Sequence, residues 1–173
     1  PPGYMYVCGA LSWLCKTLGI SYGSNAMAFI FKLPATVADL AGAYLLYRLA
    51  KNKGGSERAA LTLAGLFAFW PVLAFVSGAW GQIDSLLALL IVLVMYLFQK
   101  EKRIAAGALY GLAILIKPQA LMLGPLLAVA YLVGIVDAKQ NWRKRLLETV
   151  LAVVSALAVL FVLALPFQGS QPW

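Results

Sequence analysis

The stretch 84–103 reads DSLLALLIVLVMYLFQKEKR, an apolar run with one acid at its start and three basic residues among its last four. Similar apolar runs occupy about 61–83 and 147–167, and runs of roughly 20 residues can cross a hydrocarbon core of about 30 Å as helices. No run alternates with the period of two that a membrane β-barrel requires. Because backbone groups in lipid must be satisfied within their own segment, the pattern predicts an all-α, polytopic transmembrane helical bundle.

The composition agrees with a membrane protein. Hydrophobic residues make up 63% and charged residues 12% of the 173, against roughly 45–50% and about 25% in soluble domains. The chain opens on Pro1 without an initiator Met or a signal-peptide pattern, so we expect an internal fragment of a longer protein. Cys8 and Cys15 lie about 10 Å apart along a helix, too far for a disulfide. With two thiols and no His, neither a metal site nor a cofactor is expected.

The net charge of +8 comes from basic residues that cluster between the apolar runs. Eleven of the fourteen basic residues fall in or beside three clusters: Arg48 with KNKGGSER at 51–58, KEKR at 100–103 and KQNWRKR at 139–145. Such clusters follow the positive-inside rule and are typical of cytoplasmic loops beside anionic lipid. The charge therefore indicates membrane lipid as a partner, and no nucleic acid.

Placing the three clusters on one side of the membrane sets the topology. It predicts about six crossings, by the runs 26–50, 59–78, 84–99, 104–116, 119–136 and 147–166. Residues 1–20 are expected to form an interfacial or partly inserted helix at the outer face, ahead of a bundle over 26–173, with 1–173 as one transmembrane domain. The stretches SGAWGQIDS at 77–85 and KPQ at 117–119 then share the exterior or lumenal side, the second at a proline-broken helix. A single long span over 104–136 would place the last basic cluster outside, which the charge rule disfavours.

Charged residues within the apolar runs are candidates for function. Asp84 and Lys117 are predicted at the same membrane face, where an ionised side chain is costly unless it is paired or wetted. Two simpler roles stay open, since Asp84 could cap a helix that starts at Ser85 and Lys117 could snorkel to the interface. Asp39 and Lys32 lie seven residues apart on one helical face, which favours structural pairing or an interhelix hydrogen bond.

Other patterns predict packing. In GALYG, Gly107 and Gly111 have the small-residue spacing that lets helix backbones approach each other. Trp70 followed by Pro71 predicts a kink, and Trp80 is placed as an interfacial belt residue. The sequence contains no Gly-rich phosphate loop, no nucleophile elbow and no internal repeat.

Four short motifs carry a family resemblance: PPGYMY at 1–6, WGQIDS at 80–85, IKPQAL at 116–121 and LPF at 165–167. Their order resembles that of the Gpi18-like mannosyltransferases of the GT-C glycosyltransferase superfamily. More distantly, it is similar to that of the dolichyl-phosphate-glucose-dependent glucosyltransferases. The resemblance implies a GT-C-like enzyme that transfers a hexose, with inversion, from a polyprenyl-phosphate sugar. The acceptor would be a lipid-linked or surface glycan at the outer or lumenal face.

The resemblance also assigns roles to residues. Pro1, Pro2 and Tyr4 would close the acceptor loop, Gln82 and Asp84 would face the sugars, and Lys117 and Gln119 would meet the donor's phosphate or sugar. The predicted substrate-binding residues are thus Tyr4, Trp80, Gln82, Asp84, Lys117 and Gln119. In such enzymes the catalytic carboxylate precedes the tandem proline. The base is therefore expected upstream of residue 1. Asp84 is expected to bind the substrate more than to act as the catalytic residue.

Two other function classes stay open from the physics alone. A multi-spanning transporter would also use a broken-helix substrate site, and a scaffold or carrier-lipid-binding subunit would need no chemistry. The short loops favour a bacterial plasma membrane, with the endoplasmic reticulum membrane as the expectation for a eukaryotic protein.

Overall fold

The computed structural model describes residues 2–167, and every regular element in that range is helical, as predicted. The α-helices are α1 Pro2–Thr17, α2 Asn25–Asn52, α3 Glu57–Ala68, α4 Pro71–Ala74, α5 Asp84–Gln99, α6 Arg103–Ile116, α7 Gly124–Val136 and α8 Trp142–Ala164. A π-helix covers Phe75–Trp80, and 3₁₀ turns cover Pro118–Leu123, Lys139–Asn141 and Leu165–Phe167.

The six apolar runs predicted to cross the membrane are all helical, but they differ in length. Among the described residues, three helical segments are long and apolar enough to span: Asn25–Asn52, Pro118–Val136 and Lys139–Phe167. The pair Glu57–Ala68 and Pro71–Trp80, bent by 42°, gives a fourth if it is counted as one span. Helices α5 and α6 are apolar but have only 16 and 14 residues, about 24 and 21 Å. Three or four of the six predicted crossings therefore have the full length for a span.

The chain forms two compact units. The first unit is Pro1–Val7 with Leu90–Trp173, and the second unit is Cys8–Leu89. The boundaries fall inside α1 and α5, so contacts group the residues differently from the predicted division into 1–20 and 26–173. That division, and the interfacial position of the N-terminal helix, stay predictions.

In the first unit, α6 packs against α8 through small residues. A Cβ on Gly107 would overlap the carbonyl oxygen of Ala152, and one on Gly111 would overlap that of Ala156. Ser155 on α8 adds a hydrogen bond from its Oγ to the carbonyl oxygen of Ile104, at 3.0 Å. Because the obstacles are backbone atoms, only glycine fits at this crossing, and the packing role predicted for GALYG is confirmed.

In the second unit, α2 packs against α3. The predicted kink at Trp70 and Pro71 is confirmed, since Trp70 lies between α3 and a new helix that begins at Pro71. Asp39 is buried in α2, and among the described residues its Oδ1 has no hydrogen-bond partner. That oxygen therefore does not form the predicted interhelix bond. Cys8 and Cys15 are free thiols, as predicted.

Candidate functional site

The stretch SGAWGQIDS lies in the second unit and is less of a loop than its sequence suggests. Residues 77–80 belong to the π-helix Phe75–Trp80, so only 81–83 separate it from α5. A π-helix is a widened turn that recurs at functional sites. Its last turn ends at Gly81, whose φ of 70° lies in the left-handed region that glycine adopts without strain. The N–H of Gln82 then donates to the carbonyl oxygen of Val76 at 3.0 Å, which closes the turn.

Side chains within the stretch hold this turn in place. Ser77 is 1% exposed, and its Oγ lies 2.8 Å from the Oγ of Ser85, so a serine pair joins the π-helix to the first turn of α5. The rings of Phe75 and Trp80 meet edge to face with centroids 6.1 Å apart. Trp80 and Gln82 are exposed. The turn is therefore a fixed platform that presents an aromatic ring and an amide.

Asp84 is the first residue of α5, so the helix begins one residue earlier than the predicted start at Ser85. The preceding carbonyl, that of Ile83, accepts the first helical hydrogen bond, from the N–H of Leu87 at 3.1 Å. A carboxylate in the first turn is stabilised by the positive end of the helix dipole. Asp84 is half-buried, and this position suits both the capping and the binding interpretations.

Lys32 is a neighbour of this turn that the sequence pattern does not predict. The Lys32 side chain extends from α2 over Gly81, with Cγ 3.3 Å and Cε 3.8 Å from the place where a Cβ of Gly81 would stand. Gly81 therefore accommodates both a left-handed backbone and the lysine stem. A lysine inside an apolar helix is a signal for a functional contact, but the spacing of Lys32 from Asp39 favours a structural pair.

In the first unit, the predicted break at Lys117 is confirmed. Lys117 has φ −150° and ψ 115°, an extended conformation that ends α6, and its N–H still donates to the carbonyl oxygen of Ala113 at 2.9 Å. Pro118 then opens the 3₁₀ segment Pro118–Leu123. The residue before a proline is biased to this extended geometry. Lys117 is half-buried and Gln119 exposed.

The N-terminal motif behind the resemblance contacts two of the other three motifs. Gly3 is buried, and a Cβ on it would stand 2.8 Å from both the nitrogen of Ile116 and the carbonyl carbon of Leu115, directly before Lys117. The Tyr6 hydroxyl donates to the carbonyl oxygen of Leu163 at 2.9 Å, and its ring meets Phe167 edge to face at 5.1 Å. The start of α1 therefore contacts both the end of α6, directly before the KPQ break, and the LPF segment.

The predicted substrate-binding residues thus fall into two groups. Tyr4, Lys117 and Gln119 belong to the first unit, and Trp80, Gln82 and Asp84 to the second. Pro1 lies outside the described residues, and Pro2 is the first residue of α1. The predicted position of Asp84 and Lys117 at the same membrane face stays a prediction, as does every assigned substrate role.

Comparison with known proteins identifies the family. The sequence profile of the dolichyl-phosphate-mannose-protein mannosyltransferase family matches residues 8–167, which is most of the chain. The chain belongs to this family. The match includes the π-helix, the Lys117 break and the LPF segment. No solved structure matches the chain.

Membership in this mannosyltransferase family agrees with the resemblance at the level of the superfamily. It supports the GT-C superfamily and a membrane glycosyltransferase, and it disfavours the transporter and scaffold alternatives. The narrower Gpi18-like subfamily stays a prediction.

Proposed function

We propose that the protein transfers a hexose such as mannose, with inversion, from a polyprenyl-phosphate sugar to a lipid-linked or surface glycan. The reaction takes place at the outer face of a bacterial plasma membrane, or at the lumenal face of the endoplasmic reticulum membrane in a eukaryote. Family membership supports the chemistry. The observation that carries the site is the contact of Gly3 with residues 115–116, because it sets the N-terminal motif against the Lys117 break.

In this reaction Lys117 binds the donor's phosphate. The acceptor hydroxyl oxygen forms a bond to the anomeric carbon while the bond from that carbon to the phosphate oxygen breaks. The hydroxyl proton goes to a carboxylate base, and the bonding electrons leave with the polyprenyl phosphate. Negative charge thus develops on the phosphate oxygen in the transition state. A lysine ammonium is a compact point charge that stabilises it there.

Tyr4 and Gln119 assist Lys117 from the same unit. A tyrosine hydroxyl and an amide both donate hydrogen bonds that suit phosphate oxygens or sugar hydroxyls. Tyr4 lies in the first turns of α1, next to the buried Gly3, and Gln119 follows the break by two residues. The break and the start of α1 would together supply one cation and two neutral donors.

The turn of the second unit binds sugar. Asp84 and Gln82 offer a carboxylate and an amide for sugar hydroxyls, and the Trp80 ring, 68% exposed, offers an apolar face with a polar edge. The serine pair Ser77–Ser85 holds these groups in position. Asp84 acts as a binding residue in this proposal, and Lys32 adds a positive charge beside the turn.

The proposal is tested with membranes that contain the natural full-length protein. We expect labelled mannose to move from a polyprenyl phosphate into a glycan or glycolipid product, and not from a nucleotide sugar. Labelled sugar that crosses the membrane without forming a covalent product would support a transporter instead. In the same membranes, a cysteine at position 83 is expected to react with an impermeant reagent from the outer or lumenal side. Reaction only from the cytoplasmic side would refute the topology.

A further inference from the structure

A polar pocket lies in the first unit, where α6 and α8 begin and α7 ends. It has a volume of about 320 Å³, and its lining includes Arg103, Arg145, Glu101, Asp137 and Asn141. Two of these are cationic and two are acidic. No step of the proposed transfer uses any of them, because the Lys117 break lies at the opposite end of α6 from Arg103.

Arg103 is built into the fold. Its side chain is 6% exposed, and its guanidinium carbon lies 4.9 Å from the ring centroid of Phe98 and 5.9 Å from that of Tyr131. The Tyr131 hydroxyl donates to the carbonyl oxygen of Arg103 at 2.7 Å. A Cβ on Gly134 would stand 2.5 Å from Nη1 of Arg103, so α7 leaves room for the guanidinium. Such packing fixes the cation in place and distinguishes it from a snorkelling surface arginine.

The guanidinium of Arg103 has unused donor capacity. Nε donates to Glu101 at a long 3.3 Å, and the buried Nη1 has no hydrogen-bond partner among the described residues. A buried charged donor without an acceptor is costly. Arg103 also lines the pocket, so an acceptor that enters the pocket lies beside its side chain.

Glu101 serves as an internal anion at this pocket. Its carboxylate accepts from both Arg103 and Arg145, and Arg145 also donates to Glu148 at 3.1 Å. The Arg145 guanidinium holds the pKa of the Glu101 carboxyl below its usual value. Yet Glu101 is 57% exposed, on a turn where its own φ is 59°. Two guanidinium groups therefore share one carboxylate, and more than half of that side chain is exposed to solvent.

The surroundings match a membrane surface. Segments 100–103 and 137–148 hold seven basic residues and three acidic ones. Apolar side chains beside the pocket are exposed, with Val136 at 77% and Trp142 at 46%. Basic pockets between transmembrane helices on the cytoplasmic side are suited to anionic lipid headgroups.

We propose that this pocket binds the phosphate of an anionic phospholipid headgroup, which replaces Glu101 between Arg103 and Arg145. The phosphate oxygens supply the acceptor that Nη1 lacks, and the exposed apolar side chains meet the acyl chains. Glu101 competes with the lipid phosphate for the two guanidinium groups, so a substitution of Glu101 tests the site. This site is separate from the donor site at Lys117 and does not depend on the proposed transfer reaction.

Native mass spectrometry of the detergent-purified full-length protein tests the proposal. The probes are phosphatidylglycerol, phosphatidylcholine with the same chains, and inorganic phosphate. We expect phosphatidylglycerol to bind, Arg145→Gln to weaken it about tenfold, and Glu101→Gln to tighten it about threefold. Arg58→Gln, in a different basic cluster, is the control and should change nothing.

Opposite outcomes would overturn the proposal. Equal retention of phosphatidylcholine would show that acyl chains alone drive binding, and inorganic phosphate that occupies the site and excludes the lipid would assign it to a soluble anion. If Glu101→Gln weakens binding, Glu101 is not a competitor. Because Arg103→Gln removes a buried group and threatens folding, the variants at 101 and 145 carry the test.

Discussion

Replacing Gly3 by alanine tests whether the start of the N-terminal helix packs tightly against the residues before the Lys117 break. The new Cβ would stand 2.8 Å from backbone atoms of residues 115 and 116, where ordinary contact begins at 3.4 Å. The two backbones must therefore separate by about 0.6 Å, and a gap of 0.5–1 Å forfeits a quarter to a half of each dispersion contact. We expect a net destabilisation of about 1–3 kcal/mol, typical of overpacking against atoms that cannot rotate away.

Gly9→Ala is the matched control, because Gly9 lies in the same helix with nothing within 4 Å of its Cβ position. Gly9→Ala gains about 0.5–1 kcal/mol of helix propensity, so the control should keep or raise the thermal midpoint. For Gly3→Ala we expect a lower midpoint and about tenfold slower sugar transfer, since a misplacement of 1 Å can cost about 10²-fold. Equal midpoints and equal transfer rates for the two variants would refute the contact and the role given to it.

Three further predictions concern packing and charge. Gly107→Ala should lower the midpoint by several degrees because the backbone of α8 blocks its Cβ, whereas Gly65→Ala, with open space, should not; similar midpoints would contradict the α6–α8 crossing. Asp39→Asn should raise the midpoint, because it removes the charge of a buried carboxylate whose Oδ1 has no partner among the described residues, and a fall would reveal a stabilising partner. The depressed pKa of the Glu101 carboxyl should stabilise the fold above about pH 4.5, and this stabilisation is lost as the pH falls through the folded-state pKa. Glu101→Gln should therefore weaken the dependence of the free energy of unfolding on pH at acid pH.

Most of the fold could be predicted from the sequence, because each helix carries its own signal. Apolar runs bounded by basic clusters predict six helical segments, three or four of which have the full length for a span, and Pro118 predicts the break after α6. The π-helix Phe75–Trp80 could not be predicted, since its extra residue per turn leaves no distinct pattern. Counting charges requires α5 and α6 to cross the membrane. It does not explain how helices of only 16 and 14 residues could do so.

The site was predictable only in its parts. Proline geometry explains the extended Lys117, and the glycine in WGQ explains the left-handed turn. The contact of Gly3 with residues 115–116 joins positions more than a hundred apart, and it depends on how α1 and α6 pack. Helical spacing predicts a pair of Lys32 and Asp39, whereas the stem of Lys32 lies on Gly81 of another segment. Long-range packing of this kind is set by shape, which a local pattern does not encode.

The most direct test of the proposed donor site is the rate of mannose transfer from polyprenyl phosphate by Lys117 variants. Removing a charge that stabilises the leaving phosphate should lower kcat by about 10²–10³-fold, and Lys117→Arg should recover part of the loss because it keeps the charge. Lys53→Ala, in the exposed turn after α2, is the control and should leave transfer unchanged. An unchanged kcat in folded Lys117→Ala would contradict the account.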